Sequence, residues 1–226
     1  MNYYAVIVAG GSGKRMGTDI PKQFLLLKGR PVLMHTIERF HNYKADMHII
    51  VVLPYSQIER WGKLCQEYDF HIDHDIVHGG ATRFESVKNG LKAVKDDGIV
   101  AVHDGVRPLV STQTINRTFI EAAAYGSAIP VTDSTQSVRF IDDGGVSHSL
   151  NRSQVVLVQT PQTFKTSLLL SAYEQDFSAS FTDDASVVEA AGAYVHLTHG
   201  NIENVKITTK DDMLYAEVIM SSGLVS

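Results

Sequence analysis

Short runs of Val and Ile, each followed by a stretch with helical period, restrict the possible folds of this chain more than any other feature. Residues 4–8, 48–53, 72–77, 99–103 and 127–131 are strand-length runs rich in Val and Ile. Residues 32–40, 56–68, 84–95 and 112–125 carry apolar side chains at three- and four-residue intervals, the last group behind Ser111 as an N-cap. Repeated strand–helix units predict parallel strands, because parallel neighbours need a crossover and the crossover packs back on the sheet as a right-handed helix. The expected class is therefore α/β, a mostly parallel sheet with helices on both faces. With 226 residues, 44% of them hydrophobic, the chain can bury such a core as one domain.

The pattern changes over residues 133–153. Residues 137–141 and 146–150 flank Asp142-Asp143-Gly144-Gly145, a turn sequence that predicts a β-hairpin. A two-stranded hairpin is marginal by itself, so it has to pack against something.

Residues 8–24, leaving the first predicted strand, form a glycine-rich turn that carries Lys14, Arg15 and Lys22. Glycines let the backbone approach a ligand and aim N–H groups at anionic oxygens, and the cations neutralise charge that main-chain dipoles cannot hold alone. Three familiar glycine loops fail by spacing. The dinucleotide fingerprint from Gly11 has Met16 where its third glycine belongs, and no acid ends the second strand at Leu53-Pro54. The Walker loop would need a glycine at Val8, and the hydrolase elbow around Ser12 ends on Lys14.

A formal charge of −5 gives no global field to attract nucleic acid or anionic lipid, so phosphate binding has to come from local clusters. The single cysteine, Cys65, excludes an intrachain disulfide and reads as a packed thiol. No apolar run approaches the ~20 residues that cross a bilayer, and the opening residues lack the layout of a secretory signal. Neither nucleic acid nor membrane is an expected partner, and the expected location is the cytoplasm. The run His71-Ile72-Asp73-His74-Asp75 lacks zinc-type spacing and reads as edge-strand histidines.

Gly10-Gly11-Ser12-Gly13-Lys14-Arg15-Met16 followed by Pro21-Lys22-Gln23 resembles the nucleotide-binding loop of the sugar-phosphate cytidylyltransferases, a branch of the nucleotidyltransferases. The resemblance continues, in family order, through His103-Asp104-Gly105-Val106-Arg107-Pro108, Gln159-Thr160-Pro161-Gln162, Thr182-Asp183-Asp184-Ala185 and Asn204-Val205-Lys206-Ile207-Thr208. It implies a single Rossmann-like nucleotidyltransferase domain over residues 1–226, with residues 133–153 as a β-hairpin arm that crosses to a second subunit in a homodimer. The implied reaction moves a cytidylyl group from CTP to a sugar-alcohol phosphate. The implied acceptor is 2-C-methyl-D-erythritol 4-phosphate, toward which Asn151-Arg152 leans; a ribitol phosphate acceptor and a catalytically silent nucleotide-binding module are the alternatives.

Residue roles follow from the same resemblance. Arg15 and Lys22 stabilise the transition state, and Lys206 contacts substrate near the reacting phosphates. Ala9, Gly10, Gly11, Gly13, Gly80, Ala81, Ser86 and Gly105 bind the nucleotide. Asp104 holds Mg²⁺ or another divalent cation. Asp104, Arg107, Ser134, Arg152, Thr160 and Lys206 contact the acceptor, with Ser134 and Arg152 reaching the partner's site. Asp183 and Asp184 suit a helix N-terminus and are expected to be structural. This chain departs from common family residues at Gly10, often Ala, at Ala81, Asp in some relatives, and at Ser134, usually Thr. Physical chemistry agrees with the implied reaction: two phosphorylated substrates bring about six negative charges into one cleft, so positioning and cations dominate. The attacking phosphate oxygen is already ionised, and no general base is required.

Overall fold

The computed structural model describes residues 1–11 and 20–224. Gly13 and Arg15 lie outside the described residues. The first half alternates as the sequence pattern predicts: β1 (Asn2–Val8), the small β2 (Leu26–Leu27) and β3 (Arg30–Pro31), α1 (Val32–Tyr43), β4 (His48–Leu53), α2 (Tyr55–Glu67), β5 (Asp75–His78), α3 (Arg83–Leu91), β6 (Gly98–Asp104), α4 (Thr112–Tyr125) and β7 (Ser127–Asp133). Then come the hairpin β8 (Arg139–Ile141) and β9 (Ser147–Ser149), β10 (Val156–Val158), β11 (Gln162–Lys165), α5 (Thr166–Ala172), α6 (Asp184–Ala190), β12 (Leu197–His199) and α7 (Lys210–Ser222).

The main sheet runs β10-β7-β11-β6-β1-β4-β5, with β12 also on β7. Strands β6, β1, β4 and β5 are parallel neighbours. Strand β11 enters antiparallel between β6 and β7. Because side chains alternate across a strand, both faces of the central strands are apolar. Ala5, Ile7, Ile49 and Val51 pack with Phe40 of α1, Trp61 of α2 and Phe119 of α4. Tyr4, Val6, Ile50 and Val52 pack on the other face with Phe84 and Val87 of α3, Leu169 of α5 and Val188 of α6. A third cluster, including Leu27, Val106, Ile207 and Ile219, seats α7 beside the carboxyl end of β6.

Two boundaries differ markedly from the sequence pattern. The strand expected over 72–77 begins only at Asp75, because His74 accepts a hydrogen bond from Trp61 Nε1 (2.9 Å) and its Nδ1 meets the Ile72 carbonyl (2.7 Å), tying the approach to α2. His71 and His74 therefore precede the edge strand rather than lying in it. The helix expected over 84–95 stops at Leu91, and Lys92, Ala93 and Val94 close the end with short-range turns. The predicted Ser111 cap is present, its side chain accepting from Thr114 N. The hairpin forms with three paired residues in each strand, Arg139 to Ile141 against Ser147 to Ser149.

Candidate active site

Open parallel sheets bind ligands beyond the carboxyl ends of their strands, and this one has its cleft there. The end of β1 delivers Ala9, Gly10 and Gly11, and the end of β6 delivers Asp104; together with the start of α3 they enclose a cavity of about 280 Å³. Pro21 leads into a single 3₁₀ turn, Lys22–Phe24, which carries Lys22 to the same cavity. Gln23 fixes that turn, since its Nε2 donates to the Ala9 carbonyl at 2.8 Å in full burial. A Cβ on Gly11 would stand 2.9 Å from Lys22 Cε, so the absent side chain is what lets the lysine pass.

The opposite wall is the first turn of α3. Thr82 caps it by accepting from Glu85 N, and the Glu85 carboxylate accepts from Thr82 N at 3.0 Å, a reciprocal capping box. Ser86 donates to the Thr82 carbonyl (2.8 Å) and accepts from Gly80 N (3.0 Å), pinning the loop of Gly80 and Ala81 against the helix. Its hydroxyl thus shapes the loop as well as lining the cavity. Arg83, beside it on the wall, forms a bidentate pair with the buried Asp184.

Asp104 is the electrostatic centre. Lys206 Nζ and Arg107 Nε both lie 3.1 Å from its Oδ2. Burial alone would raise its pKa, but Lys206, Arg83 and Arg107 outweigh that and hold the carboxyl well below the usual range. Lys206 comes from the loop between β12 and α7. Asn204 supports that loop, fully buried, by donating from Nδ2 to the Thr160 carbonyl at 2.8 Å. Arg107 also donates to the Asn204 carbonyl at 2.7 Å. A second groove, of about 1040 Å³, adjoins the cavity at Lys206 and is lined by Arg107, Asp133 and Thr135.

Behind Asp104 runs a chain of neutral hydrogen bonds. Burial lowers the His103 pKa to about 4, so the ring is neutral at pH 7. Its Nε2 faces the Arg107 carbonyl, which can only accept, so Nε2 carries the proton and Nδ1 accepts from Thr160 Oγ1 (3.1 Å). Thr160 Oγ1 in turn accepts from Asp104 N at 3.1 Å.

Of the residues expected at the site, Ala9, Gly10, Gly11, Lys22, Gly80, Ala81, Ser86, Asp104 and Lys206 share the cavity. Arg107 joins them through Asp104 and the adjoining groove. Two other expected residues are engaged within the fold. Thr160, expected against the acceptor, is 5% exposed and its hydroxyl is occupied by Asp104 N and His103, so it holds the strand end. Gly105, expected against the nucleotide, is a packing glycine: a Cβ there would meet Ala9 Cβ at 2.9 Å, and its N–H is spent on the Val8 carbonyl. Ser134 and Arg152 are outside the cavity lining of their own chain; Ser134 Oγ donates to the Gln136 carbonyl and Arg152 is exposed. Asp183 and Asp184 do open α6, but Asp184 also reaches Arg83, a contact with no local sequence signal. Cys65 is half-buried on α2, and burial pushes its thiol up to about 11, away from the thiolate. Among the described residues no group of three or more His, Cys, Asp and Glu side chains is arranged to hold a metal ion by itself, and no helix is long and apolar enough to cross a membrane.

Comparison with known proteins extends over nearly the whole chain. The profile of the 2-C-methyl-D-erythritol 4-phosphate cytidylyltransferase family matches residues 3–222. The protein of that name from Phocaeicola vulgatus is 52% identical over 220 residues, 97% of this chain and 100% of the relative. The one from Bacillus licheniformis is 37% identical over 224 residues, 98% of this chain and 97% of the relative. Among crystal structures, 4-diphosphocytidyl-2C-methyl-D-erythritol synthase from Anaerococcus prevotii has a TM-score of 0.83 at 30% identity, covering 97% of this chain and 96% of that one. The 2-C-methyl-D-erythritol 4-phosphate cytidylyltransferase of Thermus thermophilus has a TM-score of 0.79 at 30% identity, covering 98% and 100%.

Proposed function

This chain belongs to the 2-C-methyl-D-erythritol 4-phosphate cytidylyltransferase family, and from that premise we propose how its own cleft divides the work. The protein is a nucleotidyltransferase that moves a cytidylyl group from CTP to 2-C-methyl-D-erythritol 4-phosphate, in isoprenoid precursor synthesis. The observation that carries the division is the position of Lys206, which lines both the 280 Å³ cavity and the adjoining groove while its ammonium rests on Asp104. CTP occupies the cavity between the glycine turn and α3. The acceptor occupies the groove, with its phosphate toward Arg107 and Lys206.

An acceptor phosphate oxygen attacks the α-phosphorus, a new O–P bond forms, and the bond to the β-phosphate oxygen breaks with release of pyrophosphate. Lys22 and Arg15 supply positive charge where it builds up in the crowded transition state. Arg107 offers a planar fork to the acceptor phosphate. No side chain has to remove a proton, and His103, buried and neutral with both ring nitrogens engaged, is not placed to do so.

The donor set fits a divalent cation held mainly by substrate. Mg²⁺ takes one or two carboxylates plus phosphates, and Asp104 is ionised, with the contacts from Lys206 and Arg107 both on Oδ2. We assign Asp104 to that ion, whose chemistry would be to shield the triphosphate and ease departure of pyrophosphate. We also place the reaction in the cytoplasm and the working unit as a dimer through the arm. Phe140, Ile141 and Val146 on the hairpin are more than half exposed in the single chain, an apolar surface that a second subunit would cover.

Pyrophosphate release tests the reading. Turnover is expected with CTP and 2-C-methyl-D-erythritol 4-phosphate; turnover with ribitol 5-phosphate in its place, and none with the methylerythritol compound, would overturn the acceptor.

A further inference from the structure

Asp184 is fully buried, and a buried carboxylate is tolerated only when charge and hydrogen bonds surround it. Arg83 donates from Nη1 to Oδ1 at 3.0 Å and from Nη2 to Oδ2 at 2.6 Å, and Tyr173 donates its hydroxyl to Oδ1 at 2.6 Å. Burial and the neighbouring carboxylate raise the Tyr173 pKa far above its usual value, so this hydroxyl stays a donor. The acid is itself anchored at the start of α6. Gln162 on β11 donates to Asp183 Oδ2 and accepts from Ala185 N, both at 2.8 Å. The ring of Tyr173 lies stacked on Phe84, the residue after Arg83, with centroids 4.8 Å apart.

Replacing a buried ion pair by apolar residues of similar volume is often neutral or even stabilising, so stability alone is a weak reason for this arrangement. What the ion pair adds is a guanidinium in a fixed orientation. Arg83 is also the first residue of α3 after the capping Thr82, so fixing it fixes the loop of Gly79, Gly80 and Ala81 on the cavity wall. We infer that Asp184 and Tyr173 are positioning residues for the nucleotide half of the cleft: they lock Arg83, and through it the first turn of α3, before CTP arrives. The inference rests on the cytidylyltransferase reading above. Because the acceptor groove has none of these three residues in its lining, their loss falls on CTP and spares the acceptor.

The test separates KM for the two substrates. Tyr173→Phe keeps the stacked ring and removes only the hydroxyl, so KM for CTP is expected to rise about three- to tenfold, the size of one lost hydrogen bond, while kcat and the acceptor KM stay near wild type. Arg83→Lys keeps the charge and loses the fork, with an expected rise of about tenfold or more. If Tyr173 acts through Arg83, the double variant is no worse than Arg83→Lys alone. Melting temperatures and calorimetric CTP binding accompany each variant. Lowered melting with unchanged CTP affinity in both single variants would overturn the inference and leave the reaction standing. Absence of turnover by the wild-type chain would instead remove the reaction, and the inference with it.

Discussion

Asp104 anchors Lys206 and orients Arg107, and in the function proposed above it is also the anion for a divalent ion. Asp104→Asn keeps the shape and removes the charge, so both cations lose their partner at 3.1 Å. Turnover should fall by about 10² or more, a loss comparable to other preorganised electrostatic contacts. Wild-type turnover should also stop in excess chelator and return with Mg²⁺; full activity in chelator would show that Asp104 serves only its two cations. Lys22→Ala and Arg15→Ala should chiefly lower kcat, again by about 10² to 10³, because charge that matters only in the transition state leaves ground-state binding little changed. Steady-state kinetics with both substrates varied distinguishes this from a rise in KM. His103 carries a different signature. Its folded pKa is lowered from 6.5 to about 4, so between those values the unfolded chain binds a proton that the folded chain excludes. Stability therefore rises with pH through this window and is lost as pH falls through it, by on the order of 3 kcal/mol in all. Urea unfolding at pH 7.5 and 4.5 should show a smaller difference for His103→Gln than for wild type, even if the variant is weaker at both.

The elements differ in how plainly their residues announced them. Helix α4 matches its expected bounds because every cue is local: Ser111 caps it, its apolar residues recur at helical spacing, and Gly126 ends it in the left-handed region. Strands β1, β4 and β6 were equally legible, since burial on both faces demands unbroken runs of Val and Ile. Strand β11 left no such trace. Its Gln162 and Thr163 are polar residues buried by their neighbours, and only pairing with β6 and β7 makes them strand. The site divides along the same line. Cations and glycines near one another in sequence, as at Gly10, Gly11 and Lys22, mark a phosphate loop. Arg83 and Asp184 are 101 residues apart, and what joins them is the packing of α6 beside α3, which no local pattern encodes. Thr160 and Gly105 show the converse: motif membership was legible, but whether each residue faces ligand or props its neighbour depended on hydrogen bonds made by Asp104 and Val8.

The whole molecule poses the question of the arm. Among the described residues, strands β8 and β9 pair only with each other, and Phe140, Ile141, Val146 and Leu150 remain exposed. Such a hairpin is too small to hold its shape alone and leaves an apolar surface that water disfavours. A two-fold partner offers the same surface in return, which makes an isologous, arm-crossed dimer the natural cover. In the dimer proposed above, Ser134 and Arg152, at the two roots of the hairpin, would serve the partner's acceptor groove. Arg152→Lys should raise KM for the acceptor and leave CTP binding nearly intact, since lysine keeps the charge without the bidentate fork. Complementation tests the crossing itself. Arg152→Ala chains and Lys22→Ala chains, each inactive alone, are mixed under conditions that exchange subunits. In a heterodimer one site receives Lys22 from its own body and Arg152 from the other chain, while the second site lacks both. Activity should therefore return, up to about one intact site per heterodimer. If exchange is confirmed and no activity returns, Arg152 serves its own chain and the arms do not cross.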